Sequence, residues 1–150
     1  MAHPKQLLQE MAQELGIALP EADEDGRYCF LFDGDLDLAC LPVGNHRLML
    51  TATVGVWPDD EDAARGLAQH LLRINLARAG SNREVLFLDH QAGELCLYRL
   101  LQTDEMILTD FVDKTARFLN NLEAWRSDYA RHQSAALHAV LPARAALLFP

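Results

Sequence analysis

Side chains able to do chemistry are thinly spread in this sequence. His3, His46, His70, His90, His132 and His138 fall in loops, turns or on predicted helix surfaces. No two of them share the i, i+4 spacing that sets two imidazoles on one helix face around a metal. Serine occurs only as Ser81, Ser127 and Ser134, none in a strand-to-helix nucleophile turn, and no glycine-rich phosphate loop is present. Cys29, Cys40 and Cys96 are odd in number, have no CxxC spacing and lie in strand-like segments. They read as buried, reduced thiols. Cys96 and His90 would meet across a predicted hairpin as a nucleophile and base, but Cys96 is more simply a small packed hydrophobe. The carboxylates of Glu21 to Asp25, of Asp59 to Asp62, and of Asp35 with Asp37 lack the positioning partners that general acid chemistry or metal binding requires. The sequence therefore predicts no catalytic residue, no metal and no cofactor: the chain is not expected to be an enzyme.

Charge narrows the partners. The formal net charge is −9 over 150 residues, and Arg73 and Arg78 share a helix with the acidic run Asp59, Asp60, Glu61 and Asp62. A phosphate backbone would be repelled, so nucleic acid is excluded as a partner. The start, MAHPKQLLQEM, interrupts its apolar residues with Gln and Glu, unlike a secretory signal, and no apolar run approaches a membrane span. A cytoplasmic location is expected, with one domain over residues 1–150.

These residues are held by a legible series of elements. Leu7, Leu8, Met11, Ala12 and Leu15 repeat at helical spacing after Pro4, and Gly16 is placed to end the helix. In YCFLFDGDLDLACL, Asp33-Gly34 is a two-residue hairpin signal between two strands. A third strand from about Arg47 sets Leu48, Leu50, Ala52, Val54 and Val56 on one face. Asp59 or Asp60 caps a second helix with a broad Ala and Leu stripe, ended by Gly80. EVLFLD and ELCLYRLLQ form a second hairpin. From about Asp104 to His132, Leu108, Phe111, Thr115, Phe118, Leu122, Trp125 and Tyr129 step by three and four along one long helix. Residues 132–150 follow as an apolar tail, either packed or disordered. The fold class is α+β: a five-stranded antiparallel sheet with three helices, in the order helix, three strands, helix, two strands, helix. Both faces of YCFLF and EVLFL are apolar, more surface than three helices cover, and an isologous dimer would bury part of the excess.

This order, size and acidity resemble the class I type III secretion chaperones, the Tir-chaperone-like group of small dimeric bacterial proteins that escort effectors. The likeness spans roughly residues 5 to 130. It rests on LLQEMAQELGI, the meander YCFLFDGDLDLACLPVGNHRLMLTATV, the helix DAARGLAQHLLRINLA, the hairpin EVLFLDHQAGELCLYRLL and FLNNLEAW in the last helix. The tail after His132 is longer and more apolar than the family pattern. The resemblance implies a homodimer that binds an extended segment near a secreted effector's N-terminus and keeps it soluble and export-competent. On that basis Leu7, Leu8, Met11, Leu15, Phe30, Phe32 and Leu38 are the expected partner groove. Leu67, Leu71 and Ile74, with Val85 and Phe87 on the adjoining strand, are the expected dimer contacts. A charge at Met11 should then abolish partner binding and spare the fold, and a charge at Leu71 should break the dimer. The alternative is a partner-switching regulator of secretion-gene expression on the same scaffold, and a small enzyme dependent on one polar residue such as His90 or Asp37 comes third.

Overall fold

Pro4 supplies a pre-set φ at the first helical position, where its missing N–H costs nothing, and His3 Nδ1 accepts the Lys5 amide at 3.3 Å to cap the same turn. The helix so begun, α1 (Pro4–Glu14), ends where Gly16 takes φ +72° and the Ile17 amide bonds back to Ala12 O. The computed structural model describes residues 3–78 and 83–148, and in the last helix the side chains as far as Ala136. Gly80, the predicted stop of the second helix, lies outside the described residues.

After α1 come β1 (Tyr28–Phe32), β2 (Leu36–Val43) and β3 (Arg47–Val56), then α2 (Glu61–Arg78), β4 (Val85–Asp89), β5 (Glu94–Gln102) and α3 (Leu108–Leu148). All pairings are antiparallel and the spatial order is β1-β2-β3-β5-β4, so the expected α+β class and element order are present among the described residues. Asp33 and Gly34 both take positive φ in the β1–β2 turn. Asp60 caps α2 by accepting the Ala63 amide at 2.8 Å.

One sheet face carries the core. Phe30, Leu36, Leu38, Cys40, Leu48, Leu50, Ala52, Leu97 and Leu101 meet the buried seam of α3, Phe111, Phe118, Leu122 and Trp125. The heptad-like steps read from the sequence are thus the inward stripe of a packed helix. Helix α2 rests on α3 through polar groups: the Arg78 guanidinium lies 4.9 Å from the Trp125 ring centroid and 2.9 Å from Asp128 Oδ2, and His70 stacks on His132 at 4.7 Å. Burial, and secondarily the neighbouring His70, lowers the His132 pKa, which favours a neutral His132 ring in the stack.

Three expectations change. Cys29 is exposed, because it points to the opposite sheet face from Phe30; Cys40 and Cys96 are buried. Burial pushes the Cys40 thiol up, and desolvation likewise raises Cys96. Val56 does not continue the inward row. The β3–β5 register shifts between Thr53 and Gly55, so Gly55, paired with buried Leu95, faces α3 and Val56 turns outward. The last helix begins at Leu108 rather than Asp104 and runs past His132 to Leu148, in keeping with the Ala and Leu content of that segment.

The register shift is paired with one α3 side chain, Tyr129. A Cβ at Gly55 would lie 2.5 Å from Tyr129 Cε1, and the Tyr129 hydroxyl donates to Val56 O at 2.6 Å. Gly55→Ala is expected to lower stability by about 1–3 kcal/mol through overpacking. Adding Tyr129→Ala should return part of that loss in a denaturant titration, and strictly additive losses would contradict the contact.

Candidate partner-binding surfaces

Two hollows flank the helical layer, and each combines apolar walls with an unmet polar atom. The first, about 230 Å³, lies where α1, the end of β1 and the first turns of α3 converge. Met11, Leu15 and Phe32 line it from α1 and β1, and Val112, Ala116 and Leu119 from α3. Thr115, beside Ala116, is buried and its hydroxyl has no hydrogen-bond partner. Beside this pocket runs β1, an edge strand whose outer side pairs with no other described strand. Strand edge and apolar pocket together suit an extended peptide: backbone hydrogen bonds on the edge, a side chain in the pocket.

Of the seven predicted groove residues, the structure brings Met11, Leu15 and Phe32 to this pocket. Leu7, Leu8, Phe30 and Leu38 are core residues under 5% exposed, so they hold α1 on the sheet and present no groove. Met11 is only 2% exposed, which also corrects the expected use of a charge there: it would disrupt the core as well as the pocket. The α3 wall escaped the sequence reading. Its signal is the second stripe Val112, Ala116 and Leu119, which runs at helical spacing beside the main seam.

The second hollow, about 360 Å³, lies between α2 and β4, lined by Ala68, Leu71, Leu72, Asn75, Glu84 and Val85 among others. Here the predicted dimer residues divide. Leu67 and Leu71 are buried in their own protomer and Ile74 is half-buried against the core, because the inward side of α2 carries them. A charge at Leu71 would therefore unsettle the fold before it touched an interface. Val85 and Phe87 are exposed, and the outward side of α2 adds Leu72 at 61% and Leu76 at 76% exposure.

The sheet face away from the helices is more polar and mixed. One register row crosses all five strands there, Cys29, Ala39, Thr51, Tyr98 and Val85, and Phe87 meets Tyr98 edge-on at 5.5 Å. Nearby, Arg27 pairs with Asp23 and Asp25, and the Arg27 backbone amide, ahead of its guanidinium, holds the Asp23 carboxyl below its usual value. Among the described residues no group of three or more His, Cys, Asp or Glu side chains is placed to hold a metal, and no helix is long and apolar enough to cross a membrane.

The model of the Tir chaperone protein (CesT) family matches residues 6–126, which takes in every element from α1 to the Trp125 turn of α3. The chain belongs to the Tir chaperone protein (CesT) family. No curated protein matches it significantly. Among solved structures, a chain of the ExsC–ExsE complex is 25% identical with a TM-score of 0.65, over 81% of this chain and 90% of that one. A chain of the HopA1–SchA chaperone–effector complex is 20% identical with a TM-score of 0.64, over 82% and 92%. YbjN from E. coli, 18% identical with a TM-score of 0.64 over 84% and 90%, has the same fold. The fold by itself therefore leaves function open, and the CesT family match narrows it to a family of chaperones.

Proposed function

We propose that this CesT-family chain is a type III secretion chaperone. Residues 1–150 act as a single domain in the cytoplasm, as a homodimer, and bind an extended segment near the N-terminus of a secreted effector. The observation that carries the proposal is the apolar pocket of Met11, Leu15, Phe32, Val112, Ala116 and Leu119 set beside the unpaired edge of β1. An incoming segment gains backbone hydrogen bonds along β1 and buries an apolar side chain in the pocket. Binding alone supplies the free energy, so no nucleotide or other cofactor takes part. Covering the segment's apolar side chains keeps it from aggregating, and holding it extended suits passage through a narrow channel.

Affinity purification of the tagged chain from its native host, with the bound protein identified and the complex mass measured, tests this. Two copies holding one secreted protein through its N-terminal region are expected. A cytosolic regulator in its place would move the function to partner switching, and recovery of no protein partner would refute the chaperone reading.

A further inference from the structure

Lys and Arg are scarce in this chain, 13 against 22 Asp and Glu, yet three of them meet in one place. Arg83, Arg99 and Lys114 line a hollow of about 200 Å³ on the side of β5 away from β3, together with Gln102, Leu101 and Met106. Arg83 reaches it from the segment before β4, Arg99 from β5 and Lys114 from the second turn of α3. Strand β4 covers β5 only from Glu94 to Tyr98. From Arg99 to Gln102, β5 pairs with β3 on one side and with no described strand on the other. A notch is left there, with a free strand edge and three cations around it.

These cations are short of counter-charges. Among the described residues no carboxylate lies within ion-pair distance of Arg83 or Lys114. The Arg99 side chain is 13% exposed, and its one counter-charge is Glu84 Oε1 at 3.7 Å, beyond hydrogen-bond range. A guanidinium carries five N–H donors in a planar fork that fits a carboxylate, and no described residue accepts a hydrogen bond from Arg99. Three cations against the Glu84 carboxylate leave two positive charges over, in a chain whose formal net charge is −9. Like charges gathered in a partly buried site repel one another unless an anion joins them. The walls indicate which anion. Leu101 is buried and Met106 half-buried, so the hollow has an apolar side as well as a cationic one. An inorganic anion uses only the cationic side, whereas a carboxylate on a short aliphatic stem uses both. We infer that this notch is a carboxylate site, taking an aspartate or glutamate side chain from an extended segment laid along the free edge of β5. As a second anchor for a bound effector the site rests on the chaperone reading and deepens it; its preference for a carboxylate stands apart from that reading.

Proton–nitrogen NMR spectra of the labelled full chain test the site, in titrations at fixed ionic strength with N-acetylglutamate amide, N-acetylglutamine amide and inorganic phosphate. The glutamate probe is expected to move the Arg99 Nε–H signal and the amides from Arg99 to Gln102, saturating in the millimolar range, and the glutamine probe to leave them in place. Arg83→Gln and Lys114→Gln should each weaken the glutamate probe by about 3- to 5-fold, and the two together by about 10-fold or more. Arg83 is exposed and Lys114 half-buried, so both variants give a reading even if Arg99→Gln, which strands the Glu84 carboxylate, fails to fold. Equal shifts with the glutamine probe, no shift with any probe, or a glutamate Kd unchanged in the Arg83→Gln, Lys114→Gln double variant would overturn the site. Phosphate binding tighter than that of the glutamate probe would overturn the carboxylate assignment and make the notch a free-phosphate site. Each of these results leaves the chaperone reading standing, because that reading falls on what co-purifies with the chain. A glutamate-selective notch in a chain that recovers no protein partner would overturn the effector anchor and keep the carboxylate site.

Discussion

Leu15→Glu is expected to lower affinity for the effector segment by about 100-fold or more and to leave the thermal midpoint unchanged. Leu15 is 49% exposed, so a carboxylate there remains solvated while the pocket is empty. When an apolar side chain fills the pocket, that carboxylate loses water and gains no cation, at a cost of several kcal/mol. Glu14 already stands next to Leu15 on the pocket rim, so the new charge also meets a like neighbour. Isothermal titration with a synthetic segment of the co-purified partner, beside a melting curve, separates binding from folding. Unaltered affinity in a folded Leu15→Glu protein would move the binding site away from the α1/β1/α3 pocket. Met11→Glu could not make that distinction, for it changes the core as well.

Trp125→Ala should cost about 3–5 kcal/mol of stability, the largest loss expected from a single substitution here. The indole is 2% exposed in the seam of α3, and its ring also carries the Arg78 guanidinium that joins α2 to α3. Truncation leaves a cavity and removes the surface on which Arg78 lies, so the α2–α3 contact weakens along with the core. Trp57 remains as a fluorescent reporter, and a urea titration would read the midpoint shift directly. A loss below about 1 kcal/mol would mean that Trp125 is not the centre of this packing.

Element order and hairpins are readable because their signals are local, whereas the pairing of β3 with β5 joins distant segments and leaves no such signal. Asp33-Gly34 needs positive φ at both positions, and Leu36, Leu38 and Cys40 alternate with polar or small residues. The seam of α3 was readable for a similar reason, since a stripe at helical spacing has to be buried somewhere. What sequence periodicity cannot say is which neighbour covers a stripe. The family resemblance puts Leu7, Leu8 and Leu38 in a groove and Leu67 and Leu71 in a dimer contact, although each is buried within its own protomer. The open surfaces lie one position round each helix, at Leu72 and Leu76 on α2 and at Val112, Ala116 and Leu119 on α3. Glu84 was invisible because a lone acid before a strand reads as solvated. Arg126 was equally invisible, because an arginine on a helix gives no sign of reaching a distant backbone carbonyl.

Arg126 has a wider consequence. Register pairs join β2 to β3 only from Ala39 with Thr51 to Val43 with Arg47, whereas β1 and β2 stay paired as far as Phe32 with Leu36. Beyond Ala39 the β1–β2 hairpin tip leaves β3, and Arg126 spans the gap, donating to Thr53 O at 2.8 and 2.9 Å and to Asp35 O at 2.9 Å. The hairpin tip is therefore held by side chains, the Arg126 guanidinium and the buried Leu36 and Leu38, rather than by a β3 ladder, which makes it a separate unit of local opening. Its amides should exchange with deuterium sooner than those of the central β3–β5 ladder, and sooner still without the Arg126 guanidinium. The edge offered to an incoming strand thus belongs to the compliant part of the sheet, able to adjust its twist to different sequences while the β3–β5 ladder keeps its shape.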